Sequence, residues 1–246
     1  GTRSPYGPCS SAFNSEYIAG GSSSGSAVSV SLQHVSFSIG TDTGGSGRIP
    51  AALNNIIGLK PTCGTLSSSG LVPCCPSIDC PSIFALSVSD ASHIATIMHS
   101  TNVSDSTLRD QHECVEFSAI NSSSVVSILY PSGSDLEFFG NIEGQSIYLD
   151  FLESLRSKGF NFSSFDFSPL LEAGSLLFDG AFLADRFSSF GSVLNSSNHP
   201  DVLATTTSVL SKAASISGSD VFLALARLKE IKVHVKNLLS HNNIFI

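Results

Sequence analysis

Hydrophobic positions change their period along the chain, and the changes mark successive elements of secondary structure. Residues 125–130 form a compact β-branched run, which is typical of a buried strand. Apolar residues then recur at helical spacing over residues 142–155, with Gly159 as the expected helix end, and residues 160–167 alternate like a second strand. This succession of strand, helix and strand predicts an α/β fold with a sheet covered by helices.

Shorter elements are expected in the first half of the chain. Helices are predicted at residues 22–33, 49–53 and 89–99, and strands or extended segments at residues 35–39, 56–59 and 82–86. The third of these helices is expected to be capped by Ser89 or Asp90. Residues 100–122 are polar without a period and are expected to form a surface excursion.

Two long amphipathic stretches follow Pro169 and predict two helices. One covers residues 170–187 and the other residues 219–239. The second has Asp220 near its start and lysines toward its end, which is the arrangement that the helix dipole favours. The apolar face of each helix is expected to serve packing.

Two clusters of glycine and serine, residues 20–26 and 42–48, flank the apolar run at residues 27–39. A flexible linker would not carry such a run, so both clusters are expected on turns beside regular structure. A phosphate-binding loop requires G-x-x-x-x-G-K-[ST], and Ser46 stands where the lysine belongs. The hydrolase elbow G-x-S-x-G fails as well, because an arginine occupies its last position. Ser46 is left as a candidate nucleophile of another kind.

The pair GGSSSGSA and GTDTGGSGRIPA, followed by GLKPT, resembles the amidase signature family over a long and specific match. The resemblance implies that Ser46 is the catalytic nucleophile and that Ser22 bridges it to a lysine base. It also implies a cis peptide bond at Ser22, where the preceding Gly21 eases the crowding, and a supporting hydroxyl at Ser23. Such a base is needed because a serine hydroxyl is a weak nucleophile until a neighbouring group takes its proton.

The glycines of the second cluster also suit it for stabilising negative charge. Because glycine lacks a Cβ, the amides of Thr43, Gly44 and Gly45 are expected to point at one spot, which can hold the oxyanion of a tetrahedral intermediate. Arg48 is expected to brace this loop by pairing with Asp42 rather than to contact substrate.

Within the amidases the closer resemblance is to the allophanate hydrolases, through GSGRIPAALNNIIGLKPT, SIDCPSIFALSVSDA and FSPLLEAGSLLFDGAFLADRF. In that subfamily, the resemblance implies, a tyrosine and an arginine hold the carboxylate of the substrate. The matching positions here are Phe178 and Arg186, so the arginine is kept and the tyrosine hydroxyl is absent. The alternative for Arg186 is a helix-surface arginine paired with Asp179 or Asp185.

The catalytic lysine that the resemblance implies has no counterpart before Ser22, since the first lysine of the chain is Lys60. Lys60 belongs to the GLKPT segment and is assigned a structural role. We interpret residues 1–246 as one incomplete amidase domain, with a central mixed β-sheet covered by helices on both faces and truncated at the N-terminus and the C-terminus. The parent protein is expected to hydrolyse a small amide, namely allophanate in urea degradation, whereas this chain alone is expected to be inactive.

Two other interpretations stay open. Another small-amide amidase or an amidotransferase subunit would share the serine motifs. A non-catalytic remnant would explain the missing lysine and the phenylalanine at position 178.

Composition limits the partners that we expect. The formal net charge is −8 with only 12 lysines and arginines and no basic run, so neither nucleic acid nor a membrane surface is an expected partner. No apolar stretch reaches the roughly 18 residues of a spanning helix. The six cysteines form no C-x-x-C pair, so we expect no metal, no cofactor and reduced thiols in the cytoplasm. A small amide is the expected ligand, and a homodimer is left open.

Overall fold

A computed structural model describes residues 4, 6–99, 105–109, 127–195, 202–239 and 243–246. The chain divides into two compact units. The first comprises Gly1–Ser118 and Asp185–Thr207, and the second comprises Ala119–Ala184 and Ser208–Ile246. Apart from residues 105–109, the predicted surface excursion lies outside the described residues.

The first unit is built on a three-stranded antiparallel sheet. Its elements in chain order are α1 (Ser24–Ser31), β1 (Phe37–Thr41), α2 (Ile49–Leu53), β2 (Ile57–Leu59), β3 (Pro81–Ala85) and α3 (Val88–Met98). The middle strand is β3, and its Ala85 lies opposite Phe37 of β1 and Ile57 of β2. All six elements are predicted by the sequence, with bounds that differ by a few residues.

The strand β3 is buried along its whole length because helices cover both faces of this sheet. Side chains alternate across a strand, so Ile83 and Ala85 pack against α3, while Phe84 packs against α1 and α2. The expected helical cover on both faces is confirmed for this sheet. This packing also fixes the loops that enter and leave the strand.

The second half of the chain carries a parallel sheet. The elements that follow α3 are β4 (Ile128–Pro131), α4 (Ile142–Ser157), β5 (Phe162–Phe165), α5 (Ser168–Phe178), α6 (Phe182–Asn195), α7 (Ala204–Ser211), α8 (Gly218–Leu238) and β6 (Ile244–Phe245). The strand β4 lies between β5 and β6 and is parallel to both. The predicted succession of strand, helix and strand is confirmed in β4, α4 and β5, and Gly159 follows α4 with a φ of 87°. The α/β class is therefore confirmed, with its strands in one antiparallel and one parallel sheet.

The single helix predicted over residues 170–187 is wrong, because the chain forms α5 and α6 there with a break between them. The break lies at Gly180, where the chain turns so tightly that a Cβ would be 2.7 Å from the Cα atom of Leu176. The periodic signal runs across the break because both helices carry apolar residues at helical spacing. As a result Phe178 ends α5, whereas Arg186 lies on α6.

The start of α3 also differs from the prediction. Ser87 is the N-cap, rather than Ser89 or Asp90, and its hydroxyl accepts a hydrogen bond from the Asp90 amide at 3.1 Å. An extended residue with a short hydroxyl side chain suits this position, and the predicted cap lay inside the first turn. In α8 the capping box between Ser217 and Asp220 agrees with the expected acidic start.

Membrane crossing by a single helix has no support in the described residues. None of their helices is by itself long and apolar enough for a span. The segments Ala204–Ser215 and Gly218–Leu238 pass that test of length and hydropathy only together, across a bend of 98°.

Candidate active site

Ser23 joins the first glycine-serine cluster to the end of β1. Its hydroxyl donates to the Thr41 carbonyl at 3.2 Å and accepts from the Thr41 amide at 3.3 Å. The close approach requires glycine at position 40, because a Cβ on Gly40 would lie 2.6 Å from the Ser23 hydroxyl. The first cluster is thus attached to the strand that leads into the second.

The two serines of the predicted relay lie in these neighbouring clusters. The Gly21–Ser22 peptide bond is cis, as the resemblance implies, and the Ser22 side chain is exposed just before α1. Ser46 is half-buried in the loop between β1 and α2. Within the described ranges no hydrogen bond joins the two hydroxyls. The fold therefore brings the two loops together, and the relay itself stays a prediction.

Asp42 organises the second cluster. Its carboxylate is fully buried and accepts the amides of Gly45 at 2.8 Å and Gly47 at 3.0 Å. The guanidinium of Arg48 donates to both oxygens, with Nε 2.9 Å from Oδ2 and Nη2 3.0 Å from Oδ1. The predicted brace between Asp42 and Arg48 is therefore confirmed. The loop folds around this carboxylate, and Ser46 lies between the two bonded glycines.

The charges of this pair stabilise each other. Burial alone would raise the pKa of Asp42, but the hydrogen bonds from Arg48, Gly45 and Gly47 outweigh burial and hold that pKa below its usual 3.8. The hydrogen bond to Asp42 raises the pKa of Arg48 in turn. At neutral pH the loop is therefore held by an ionised carboxylate.

Packing around Ser46 requires glycine on both of its sides. Gly45 has a φ of 120°, and a Cβ on it would lie 2.8 Å from the Cδ1 atom of Ile49. A Cβ on Gly47 would lie 2.4 Å from both the Cβ and the Oγ atoms of Ser82, which is buried in β3. The loop consequently fits between α2 and β3 only because these side chains are missing.

One of the three expected oxyanion donors is directed elsewhere. The Gly45 amide donates to Asp42, so it is committed to the carboxylate rather than to a spot shared with its neighbours. The expectation for Gly45 is corrected accordingly, because the buried carboxylate needs that donor. The amides of Thr43 and Gly44 remain as candidates.

Asp79 is a residue of the site that the sequence analysis missed. Its carboxylate accepts the Thr43 hydroxyl at 2.5 Å and the amides of Cys74 and Cys75 at 2.7 and 3.0 Å. Thr43 is thereby fixed by the loop that precedes β3. The sequence offered one signal, an acidic residue just before a buried strand. A buried carboxylate needs hydrogen-bond donors, and the neighbouring loops have to supply them.

The same loop contacts the part of α6 that belongs to the first unit. The Oδ2 atom of Asp185 accepts the amide and the hydroxyl of Ser77, at 3.1 and 2.7 Å, and the thiol of Cys75 at 3.0 Å. Burial raises the pKa of Cys75 to about 12, and Asp185 adds to the effect while the charge of Arg186 opposes it. The loop before β3 is therefore bonded to the oxyanion candidate on one side and to the helix of Arg186 on the other.

Comparison with protein families decides the class of the chain. The family model described as Amidase matches residues 1–230. The chain belongs to the amidase signature family. The match covers both glycine-serine clusters and most of the helices that follow them.

Individual relatives share this amidase region. The urea amidolyase of Saccharomyces cerevisiae is 39% identical over 240 residues, which make up 97% of this chain and 13% of that protein. One component of the glutamyl-tRNA(Gln) amidotransferase of Mycoplasma genitalium is 47% identical over 98 residues, or 40% of this chain and 20% of that protein. The structure of Kluyveromyces lactis allophanate hydrolase matches with a TM-score of 0.86 and 34% identity, across 100% of this chain and 40% of that chain. The chain thus spans less than half the length of these relatives, and the amidase-signature fold is confirmed.

Lys60 occupies a structural position in this amidase fold. Its ammonium donates to the Pro61 carbonyl at 2.9 Å and lies 3.8 Å from the sulfur of Cys63. These contacts agree with the structural role expected for the GLKPT segment.

The two positions that resemble the carboxylate-binding pair of allophanate hydrolases lie on different helices. Phe178 is 50% exposed and belongs to the second unit, whereas Arg186 is half-buried and belongs to the first. The carboxylates of the alternative interpretation have other partners. Asp179 pairs with Lys212 at 3.4 Å, and Asp185 binds the loop before β3. The role of Arg186 stays a prediction.

Proposed function

We propose that this chain carries the nucleophile and the substrate-binding side chains of an amide hydrolase that cleaves allophanate in urea degradation. The observation that supports this most is the buried Asp42, which holds Ser46 between two bonded glycines in a loop with the amidase pattern. Similarity to a urea amidolyase along 97% of the chain favours allophanate over other small amides. The amidotransferase match covers 40% of the chain and supports the nucleophile region alone.

In the proposed reaction the Ser46 hydroxyl attacks the carbonyl carbon of the amide, and its proton passes through Ser22 to a base. The amides of Thr43 and Gly44 stabilise the oxyanion, while Asp79 orients the threonine. The C–N bond then breaks, ammonia leaves with the transferred proton, and water releases the acyl group from the serine. Residues 1–21 contain no lysine. The proposal therefore assigns the base to the full-length protein.

Substrate recognition is proposed to rest on Arg186. Allophanate is small, so a few polar contacts must provide both affinity and orientation. A guanidinium and a carboxylate form two parallel hydrogen bonds, which fix the direction of the substrate as well as binding it. Phe178 offers no hydroxyl to add to this contact.

A fluorophosphonate probe tests the nucleophile. In the full-length protein we expect acylation of Ser46 and no label after Ser46→Ala. Ser22→Ala should slow labelling by about 10²- to 10⁴-fold, because it removes the proton relay. Ser29→Ala is the matched control, since this hydroxyl bonds within α1 to the Ser26 carbonyl. Labelling of Ser22 with Ser46 untouched would reject the assignment.

Kinetics on two substrates test recognition. Arg186→Ala should lower kcat/KM for allophanate by about 10- to 100-fold or more, because charge-assisted hydrogen bonds contribute about 1.5 to 3 kcal/mol. Malonamide, which has no carboxylate, should be affected little, and Phe178→Tyr should raise kcat/KM for allophanate. Equal losses on both substrates would mean that Arg186 only stabilises its helix. The protein would then be an amidase of another specificity, while labelling of Ser46 would be unchanged.

A further inference from the structure

Two cysteines beside the nucleophile loop have no part in the proposed reaction. Cys63 is partly exposed after β2, and its thiol donates to the Ile78 carbonyl at 3.4 Å. Cys80 is fully buried at the entrance to β3, where its thiol donates to the Pro61 carbonyl at 3.3 Å. The Pro61 carbonyl that the Cys80 thiol contacts also accepts the Lys60 ammonium, and this ammonium lies 3.8 Å from the Cys63 sulfur. Both sulfurs therefore lie against the Lys60–Pro61 segment.

The surroundings affect the two sulfurs unequally. The hydrogen bond from Cys80, supported by the charge of Lys60, outweighs burial and lowers the pKa of Cys63 to about 6. The Lys60 ammonium lies 3.8 Å from this sulfur. The same hydrogen bond and burial raise the pKa of Cys80 far above its usual value. The partly exposed sulfur is therefore the more acidic of the two and the readier nucleophile.

The neighbouring cysteines provide a contrast within the same unit. Burial raises the pKa of Cys74, and burial with Asp185 raises the pKa of Cys75 to about 12. Both are thiols at neutral pH. Among the described residues no group of three His, Cys, Asp or Glu side chains could hold a metal. An acidic, partly exposed cysteine close to a buried one thus suits oxidation better than metal binding.

We propose that Cys63 and Cys80 form a redox-modification site at which a hydroperoxide converts the two thiols into a disulfide. With hydrogen peroxide, the Cys63 thiolate attacks the O–O bond, forms a sulfenic acid and releases hydroxide. The Cys80 sulfur then displaces the hydroxyl group from the Cys63 sulfur, and its proton leaves with that hydroxyl as water. The thiols lose two electrons, and the peroxide takes them up.

The pair is placed where its oxidation acts on the nucleophile loop. The Cys80 carbonyl accepts the Asp42 amide at 2.7 Å, and the charge of ionised Cys63 raises the pKa of Arg48. Disulfide formation removes the negative charge of the thiolate from beside this guanidinium. The site therefore connects the redox state of the protein with the Asp42–Arg48 brace.

The test uses the full chain, reduced and then exposed to hydrogen peroxide, with remaining thiols blocked by N-ethylmaleimide before peptide mapping by mass spectrometry. We expect a crosslink between Cys63 and Cys80 that dithiothreitol reverses, while Cys74 and Cys75 stay reduced and react with the blocking reagent. At neutral pH the maleimide should also modify Cys63 at least about tenfold faster than Cys75, since the thiolate is the nucleophile.

Substitutions separate the role of Cys63, which reacts with the peroxide, from that of Cys80, which completes the disulfide. Cys80→Ser should leave a sulfenic acid on Cys63 that dimedone traps, and Cys63→Ser should leave Cys80 unoxidised. Lys60→Gln should slow maleimide addition to Cys63. The matched control for the cysteine substitutions is Cys9→Ser, which removes another partly exposed thiol. The proposal is overturned if the unsubstituted chain forms no crosslink, or if Cys9 is oxidised as fast as Cys63. Mapping of the unsubstituted chain decides the matter even where a variant does not fold.

Discussion

Two arginine–carboxylate pairs of the same chemistry serve different purposes in the two units. In the second unit, Arg227 of α8 donates to both oxygens of Glu172 of α5, each at 2.7 Å, and the side chains are 46% and 40% exposed. In the first unit, Arg48 binds Asp42 at slightly longer distances of 2.9 and 3.0 Å, but the Asp42 carboxylate is fully buried. By hydrogen-bond distance alone, the exposed Arg227–Glu172 pair would be expected to stabilise the protein more than the Arg48–Asp42 pair.

The two pairs differ in the further hydrogen bonds that each carboxylate accepts. Asp42 also accepts the amides of Gly45 and Gly47, so its charge determines the course of the backbone around Ser46. Glu172 connects two helices whose own hydrogen bonds do not depend on it. A buried carboxylate with backbone donors is therefore a structural centre, whereas an exposed pair is screened by water and adds little.

The largest expected effect comes from Asp42→Asn. Asparagine keeps the shape of the side chain but replaces one acceptor oxygen by an NH2 donor. This donor then faces a backbone N–H that has lost its acceptor. We expect a loss of about 2 to 4 kcal/mol in the free energy of unfolding and no fluorophosphonate label on Ser46. Urea unfolding and probe labelling are the two measurements. A variant with the stability and labelling of the unsubstituted protein would remove the basis of the comparison.

Gly47→Ala tests the packing of the same loop without changing any charge. The added Cβ would lie 2.4 Å from buried Ser82, so the loop has to move, at a cost of about 1 to 3 kcal/mol. Gly25→Ala is the matched control, because a Cβ on Gly25 of α1 meets nothing within 4 Å. Thermal unfolding should separate the two variants. Equal stability of both would show that the loop tolerates side chains beside Ser46.

The pH dependence of stability gives a smaller but sharper test. Because the folded-state pKa of Asp42 lies below 3.8, its stabilisation is complete above that value and is lost as the pH falls through the lower folded-state pKa. The stability difference between the unsubstituted protein and Asp42→Asn should therefore be constant near neutral pH and shrink below about pH 4. Urea midpoints across this range measure it. If this stability difference instead shrank between about pH 5 and 7, a titratable group other than Asp42 would be responsible for it.

Glu172→Gln should have the smallest effect. It removes an exposed ion pair, so we expect little change in the urea midpoint, none at high salt, and unchanged labelling of Ser46. Glu153→Gln is a matched control, since this glutamate forms another exposed pair, with Arg156 of α4. A loss at Glu172 comparable to that at Asp42 would contradict the ranking of the two units.

The local parts of the site could be predicted from the sequence. Asp42, Ser46 and Arg48 lie within one short loop, so their spacing along the chain carries their geometry, and the brace between the acid and the arginine is confirmed. The strands β1, β3 and β4 and the helices α3, α4 and α8 were marked by apolar or β-branched runs and by the period of their apolar residues. The pairing of Asp42 with Arg48 was predictable because the two residues are only six positions apart.

Contacts between distant residues were decided by the tertiary structure alone. Thr43 and Asp79 are 36 residues apart, and Ser77 and Asp185 are 108 residues apart. No period or motif links such positions, because their meeting depends on how segments that are distant in the chain pack together. The break at Gly180 and the commitment of the Gly45 amide to Asp42 are local, but the residue pattern did not reveal them either, because the helical period runs across the break and a glycine-rich loop does not show which amide a buried carboxylate binds. The sequence by itself determined the family, the class of fold and the candidate nucleophile, while burial and long-range packing decided which neighbours hold that serine in place.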